Sequence, residues 1–121
     1  MTATRPSSTG LASRTRPLAD AGDLLDAVGA DGVAWLHDGG GLATSGVAAR
    51  IPVPTGPDRF RRAADAVAAV LAAIDDDDPL RLPGTGPLAL GAIPFHDSVA
   101  GELVVPALVV GRTPGGRAWV T

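Results

Sequence analysis

Residues 84–121 read GTGPLALGAIPFHDSVAGELVVPALVVGRTPGGRAWVT, and this stretch decides how the chain can fold. Apolar residues alternate over 88–93 and then run almost without interruption over 103–110. Short Val-rich runs bounded by Gly and Pro clusters are typical of strands. Pro114 and Gly115 occupy the second and third positions of the turn 113–116, which favours a type II turn. The sequence therefore predicts a hairpin of strands 102–112 and 117–121.

Composition restricts the class of protein. A chain of 121 residues with 45% hydrophobic and 19% charged residues forms one globular domain. No apolar run approaches the roughly 20 residues that a membrane helix needs. A net charge of −3 without a basic face disfavours nucleic-acid binding. The absence of cysteine excludes disulfides and thiolate sites. We therefore predict a soluble, cytoplasmic protein that binds neither nucleic acid nor membrane.

The N-terminal part of the chain is predicted to contain a tail and a short helix. Residues 1–17 are rich in Arg, Ser and Thr without an acidic residue, as in an organellar transit peptide, but the segment lacks an amphipathic period. A disordered tail is the simpler interpretation. From Leu18 to Val28 apolar residues recur at helical spacing, and Gly29 follows where a C-terminal cap belongs. The sequence predicts a helix over 17–28.

A hairpin and a second helix follow. Residues 32–37 alternate as in a strand, and Asp38-Gly39 is a hairpin dipeptide. A returning strand is predicted over 42–53, with a bulge or close approach at Gly46. Residues 55–58, TGPD, resemble a capping box. The helix after it has one apolar stripe, at Phe60, Ala63, Ala64, Val67, Val70, Leu71 and Ile74.

The outward face of this helix is predicted to carry Arg59, Arg61, Arg62 and Asp65. The helix ends before the run DDDDP at 75–79, because carboxylates oppose the dipole at a helix C-terminus and proline disfavours helix in the preceding residue. Together these elements predict an α+β fold, a mostly antiparallel sheet with two helices on one face.

Three groups of residues invite a chemical interpretation. Residues 75–78 could bind a hard cation, but adjacent carboxylates on a loop do not converge, so a solvated loop is the better interpretation. The glycine clusters 39–41 and 84–86 could cradle a phosphate, but the chain has no lysine and strands follow both clusters. Turn glycines are the better account.

The histidines are the remaining candidates. His37, and His96 with Asp97, Ser98 and Glu102, contain residue types found in catalytic triads and zinc sites. Neighbours in sequence do not thereby meet in space, and polar loop residues are the simpler interpretation. We therefore assign no catalytic, cofactor-binding or metal-binding residue from the sequence.

Three segments of the chain, taken together, resemble a known family. They are VAWLHDG (33–39) with GL (41–42) and AARI (48–51); GTGPLALGAIPF (84–95); and VP (105–106), Val109, GR (111–112) and WVT (119–121).

These segments are similar to the N-terminal portion of isochorismate synthases, of the kind found in high-GC actinobacteria, within the chorismate-utilising enzymes. The similarity covers about residues 18–121, and it is most specific at GTGPLALGAIPF. Thr44, Ser45 and Val47 depart from the family pattern.

The resemblance implies that residues 18–121 are the N-terminal scaffold lobe of a larger fold. It implies a Mg²⁺-dependent conversion of chorismate to isochorismate, with a lysine base and glutamates that lie in a C-terminal catalytic region. This chain has no lysine, and Glu102, its only glutamate, matches none of those motifs. The resemblance therefore implies that chorismate is bound only through a region outside this chain. It also implies that this chain is inactive alone.

Two alternatives remain open at this point. The chain could be a free-standing, non-catalytic module that associates with itself or with another chain through an exposed sheet edge. It could also be the same region of an anthranilate, aminodeoxychorismate or salicylate synthase, because the choice of reaction is made in the active site.

Overall fold

The computed structural model describes residues 10–121. Within this range the chain forms ten strands, one α-helix and one short 3₁₀ turn. In chain order they are β1 Ala12–Arg14, β2 Arg16–Leu18, the 3₁₀ turn Leu24–Ala27, β3 Ala34–His37, β4 Gly40–Ser45, β5 Ala49–Val53, α1 Arg59–Ala72, β6 Asp75–Asp77, β7 Leu90–Ala92, β8 Gly101–Val105, β9 Leu108–Arg112 and β10 Ala118–Val120.

The strands form three sheets. A five-stranded sheet has the order β2-β10-β9-β4-β3, and a three-stranded sheet has the order β5-β8-β7. Every pair of neighbours in these two sheets is antiparallel. The third sheet is the parallel pair of β1 and β6. The predicted α+β class with mostly antiparallel sheets is therefore confirmed, whereas the number of helices is not.

The two larger sheets share one bent ribbon. β4 continues into β5 and β8 continues into β9, while β4 pairs with β9 and β5 pairs with β8. At the bend the amide of Ala107 donates to the carbonyl of Gly46 at 3.3 Å, and the amide of Ala48 donates to the carbonyl of Val105 at 2.8 Å. Both strands of the ribbon therefore leave one sheet and enter the other at this bend.

This bend divides two predicted strands. The prediction of continuous strands over 42–53 and 102–112 is wrong, because each is broken where the ribbon changes sheets. Gly46 adopts a left-handed φ of 70°, a conformation that glycine reaches without steric cost. Pro106 has no amide hydrogen and cannot continue the ladder. The predicted close approach at Gly46 is confirmed, because a β-carbon there would lie 3.0 Å from Cβ of Ala107. The change of sheet at this point was not predicted.

Both predicted hairpins form. Asp38 and Gly39 connect β3 to β4 with φ values of 51° and 80°, the pair of positive angles that a type I′ turn requires. In the second hairpin the positive φ, 94°, lies at Gly116 and not at Gly115. A type II turn needs it at the third position, so the predicted turn type is wrong. A type I turn followed by a left-handed glycine fits these angles.

The helix α1 is confirmed, and so is most of its predicted apolar stripe, but the first turn differs from the prediction. Arg59 and Ala63 are buried, whereas Phe60 is 60% exposed. The predicted capping box is wrong, because the helix begins after Asp58, whose side chain makes no capping hydrogen bond. Asp58 instead contacts Arg61 at 3.2 Å on the surface. The helix packs on the three-stranded sheet through its side chains at 66, 67, 70 and 71.

The predicted helix over 17–28 is wrong. Leu18 pairs with Ala118 in β2, and only Leu24–Ala27 forms a single 3₁₀ turn. The carboxylate of Asp23 accepts from the amide of Leu25 at 3.0 Å, and Gly22 has a φ of 66°. A left-handed residue ends any helix at that point. The residues described by the structure therefore contain one α-helix and not two.

The N-terminal strands bring opposite charges together. β1 pairs with β6, so that Arg14 lies opposite Asp77. The carboxylate of Asp77 contacts Arg16 at 2.8 Å and Arg14 at 3.7 Å. The described part of the predicted tail thus contains two paired strands, and the acidic run predicted as a loop contains β6. Residues 1–9 of the predicted tail lie outside the described residues.

The buried residues form two clusters. One lies on the five-stranded sheet, and the other lies between α1 and the three-stranded sheet. Leu24 in the 3₁₀ turn is 1% exposed. No helix within residues 10–121 has the length and apolar character that a membrane crossing requires. The first cluster contains Leu42, Val109 and Trp119 with Leu80, Leu82 and Leu88, and the second contains Ile51, Ile74 and Val105 with the helix side chains.

Candidate functional site

The structure does not bring the two histidines together with a catalytic set. Nε2 of His37 lies 3.1 Å from a carboxylate oxygen of Asp38, and both side chains are about four-fifths exposed. Asp38 occupies the hairpin turn, so the contact is local to the turn. An exposed pair of this kind lacks the buried neighbour that orients a catalytic imidazole.

His96, Asp97 and Ser98 lie in an exposed turn between β7 and β8. The ring of His96 meets Phe95 edge to face, with the ring centroids 5.4 Å apart. The carbonyl of Asp97 accepts from the amide of Gly56 at 2.8 Å, a main-chain contact. Phe95 itself is 91% exposed. The polar side chains here face solvent and form no triad among residues 10–121.

The acidic run has two different environments. The carboxylates of Asp76 and Asp78 both lie beside Gly86, within 3.6 Å of the position that a β-carbon there would occupy. Desolvation, followed by the charges of Asp78, Asp77 and Asp75, raises the pKa of Asp76 above its ordinary value.

Asp78 behaves in the opposite way. Desolvation acts to raise its pKa, but hydrogen bonds from the Thr85 hydroxyl and the amides of Arg81 and Leu80, together with the charge of Arg81, outweigh it and lower the pKa. Oδ1 accepts from the amides of Leu80 and Arg81 at 3.0 Å each, and Oδ2 accepts from Thr85. Asp78 thereby holds the loop of residues 79–85 in one conformation.

These carboxylates do not fit the magnesium ion that the family resemblance implies. Mg²⁺ requires several oxygen ligands in a nearly octahedral arrangement. No group of three His, Asp or Glu side chains converges on a common point within residues 10–121. Asp78 already directs both carboxylate oxygens to hydrogen-bond donors of its own loop. We therefore derive no chemical step through a metal ion.

Arg59 is the buried charge that the sequence analysis assigned to the surface. Its side chain donates to three successive carbonyls, at 2.6 Å to Pro94, 2.9 Å to Phe95 and 2.8 Å to His96. The guanidinium also lies 4.7 Å from the ring centroid of Phe60. These carbonyls accept three of the five N–H groups that a guanidinium carries. Arg59 thus attaches the start of α1 to the loop before β8.

The main apolar feature is a groove on the five-stranded sheet. Trp35, Leu42, Gly111 and Trp119 are successive cross-strand partners and therefore lie on one face of the sheet. Trp35 and Trp119 both line a groove of about 340 Å³, together with side chains of the hairpins and residues 83–84. A concave, mostly apolar groove of this volume is within the size range of ligand sites.

The buried end of this groove is shaped by two glycines. A β-carbon at Gly111 would lie 2.3 Å from Cε2 of Trp119, so the indole occupies the space that a side chain there would fill. Gly84 approaches from the other side, where a β-carbon would lie 3.2 Å from Cζ2 of Trp119 and 3.3 Å from Cδ2 of Leu42. Nε1 of Trp119 is buried and has no hydrogen-bond partner in the described part of the chain.

Two further spaces border the sheets. One is a cavity of about 90 Å³ beside Ser13, whose buried hydroxyl has no hydrogen-bond partner among residues 10–121. This volume is well below the roughly 300 Å³ of typical ligand sites. The other is a groove of about 590 Å³ between β3 and β7, lined by residues 33–35 on one side and 89–92 on the other. In the described part of the chain β3 is an outer strand, and its Val33, Trp35 and Leu36 are 44%, 70% and 46% exposed.

Sequence reasoning missed these features for identifiable reasons. The buried role of Arg59 depends on which residue of the first helical turn faces inward. The rest of the apolar stripe is compatible with either Arg59 or Phe60 there, and the spacing of Ala63 four residues after Arg59 was the available signal. The grooves depend on contacts between residues far apart in the chain, which periodicity does not report.

Comparisons with protein families, with curated protein sequences and with solved structures give no match.

Proposed function

We propose that this chain is the N-terminal, non-catalytic portion of an isochorismate synthase, a cytoplasmic enzyme that converts chorismate to isochorismate for menaquinone or siderophore biosynthesis. One observation carries the proposal: the segment GTGPLALGAIPF, residues 84–95, resembles the most specific motif of that family. The catalytic lysine and the glutamate ligands of that family have no counterpart in this chain, so its role is that of a scaffold.

The packing of Gly84 supports this reading. The motif glycine lies against Leu42 and Trp119, which belong to the other two resembling segments. Gly84 also has a φ of 89°, which favours glycine over any residue with a side chain. Segments that are separated by about forty and thirty-five positions in the sequence thus depend on one another in the fold. Such dependence is a physical reason for the three segments to occur together.

Fragment complementation tests the proposal. The chain is mixed with the separately produced catalytic region of an isochorismate synthase, and isochorismate formation from chorismate is measured in the presence of Mg²⁺. We expect no turnover by this chain alone and turnover that depends on the chain in the mixture. Isochorismate formed by the chain alone, or a mixture whose rate does not depend on it, contradicts the proposal.

Two glycine variants provide a matched control. Gly84→Ala and Gly56→Ala both introduce a side chain at positive φ, 89° and 107°, but only Gly84 has neighbours within 4 Å of the new β-carbon. We expect Gly84→Ala to reduce complementation more strongly than Gly56→Ala. A second measurement is the intact mass of the native polypeptide, detected with an antibody against this segment. A mass several times that of this chain is expected.

A further inference from the structure

The outer strands of the sheets differ in how well their edges are protected. Proteins protect edge strands with proline, charged side chains or very short strands. β2 contains Arg16 and Pro17, and β5 contains Arg50 and Pro52. β7 has only three residues. β3 has none of these protections in its sequence AWLH.

The main-chain groups of β3 that no strand within residues 10–121 pairs with can be identified from its register. In an antiparallel pair, residues that exchange hydrogen bonds alternate with residues that do not. The amide of Thr44 donates to the carbonyl of Val33 at 2.9 Å, and His37 lies opposite Gly40 beside the two-residue turn. Main-chain groups of Val33, Trp35 and His37 therefore point to β4. Those of Ala34 and Leu36 point to the open edge.

We propose that β3 is a self-association surface that pairs with β3 of a second copy of this chain. The two strands run antiparallel about a two-fold axis beside Trp35. Ala34 of each copy then lies opposite Leu36 of the other, and these two pairs exchange four main-chain hydrogen bonds. Trp35 lies opposite Trp35 of the second copy in the closer, non-hydrogen-bonded position. The inference is independent of the proposed function.

Self-complementarity is what identifies a second copy as the occupant. The two-fold register matches donors with acceptors at both outward residues and brings two exposed indoles together, and aromatic cross-strand pairs stabilise sheets. His37 lies opposite Val33, so residues 33–37 bring no like charges together. The side chains of Val33, Trp35 and Leu36 are 44%, 70% and 46% exposed, so they are accessible to a second copy. An isologous pairing of this kind closes at two copies.

Sedimentation velocity over a wide concentration range tests the proposal. We expect the native chain to show a monomer–dimer equilibrium without larger species. In Ala34→Pro the outward amide is removed, and proline is tolerated in an edge strand when its nitrogen faces outward. Leu36→Lys places a charge on the same edge. Each variant is expected to weaken dimerisation by about tenfold or more.

A control variant and a second observable keep the test decisive. Leu25→Lys changes another exposed apolar residue, 59% exposed in the 3₁₀ turn, and is expected to leave dimerisation unchanged. Hydrogen exchange is expected to show concentration-dependent protection of the amides of Ala34 and Leu36. A native chain that stays monomeric, an open-ended series of oligomers, or a dimer that Leu36→Lys leaves unchanged overturns the proposal. Because Leu36→Lys leaves the backbone unchanged, the test does not depend on the folding of Ala34→Pro.

Discussion

Trp119 and Trp35 lie in one cross-strand row of the five-stranded sheet and on the same face, yet 2% of Trp119 and 70% of Trp35 is exposed. Trp119 stands on the central side of the sheet, where Gly111 makes space for the indole and residues 80–88 cover it. Trp35 stands on the last strand, where it lines the same groove but is left uncovered. Both residues are tryptophans on the same face of the sheet. The difference in their exposure is therefore caused by the covering loop and by the position of Trp35 at the sheet edge.

The strongest test of this comparison removes each indole in turn. Trp119→Ala leaves a cavity in the cluster with Leu42 and Val109, and we expect a loss of about 3–5 kcal/mol in the free energy of unfolding. Trp35→Ala removes an exposed side chain and is expected to change the free energy of unfolding by about 0.5 kcal/mol. Urea unfolding followed by circular dichroism, at concentrations where the chain is monomeric, measures both. Equal losses would contradict the comparison.

A smaller effect is expected when the space for the indole is reduced. A β-carbon at Gly111 would lie 2.3 Å from Cε2 and Cζ2 of Trp119, so Gly111→Ala displaces the ring. We expect Gly111→Ala to lower the free energy of unfolding by about 1–3 kcal/mol. Gly115→Ala is the matched control, because the nearest atom is Thr113 Oγ1 at 3.8 Å. In the background of Trp119→Ala, the cost of Gly111→Ala should shrink, as expected for residues in contact.

The smallest effect concerns the loop that covers Trp119. Asp78→Asn weakens the hydrogen bonds that hold residues 79–85, and we expect a loss of about 1 kcal/mol at neutral pH. Since the pKa of Asp78 is lower in the folded than in the unfolded chain, its contribution is present above the ordinary pKa of 3.8 and is lost as pH falls through the folded value. The difference in the free energy of unfolding between the native chain and Asp78→Asn should therefore disappear in acid.

Asp76 provides a control, because its replacement by Asn is expected to change stability in the opposite direction. Its pKa is raised in the folded chain, so its ionisation opposes folding at neutral pH. Asp76→Asn is expected to increase stability slightly at neutral pH, with the gain vanishing as pH falls below 3.8, its ordinary pKa. Unfolding free energies measured as a function of pH check both variants. The same sign for Asp76→Asn and Asp78→Asn would contradict the assigned environments.

Much of the local structure could be predicted from the sequence. The apolar stripe predicted α1, and Asp38-Gly39 predicted the β3–β4 hairpin, because helical periodicity and left-handed turn residues act over a few positions. The helix over 17–28 failed because its apolar spacing extends over about three turns only, while strand pairing with β10 offered Leu18 a partner. No local feature of the sequence distinguishes the helix that forms from the helix that does not.

The candidate site was less accessible to sequence reasoning. The candidates in the sequence were His37, His96 and the acidic run 75–78. The structure leaves both histidines exposed. The buried role of Arg59 was not predicted, because its three acceptors are main-chain carbonyls that carry no signature in the sequence. The pairing of Arg16 with Asp77 in the acidic run was not predicted either, because these residues meet only through the parallel contact of β1 and β6.

The sequence by itself determined where α1 and the tight turns form, because glycine, proline and apolar spacing act within a few residues of the backbone. Tertiary structure alone decided that the ribbon bends at Gly46 and Pro106, that Arg59 turns inward and that Trp119 is covered while Trp35 is open. These outcomes depend on which surfaces meet across tens of residues. Burial is set by these tertiary contacts, so the same residue type can be buried at one position of a sheet and exposed at another.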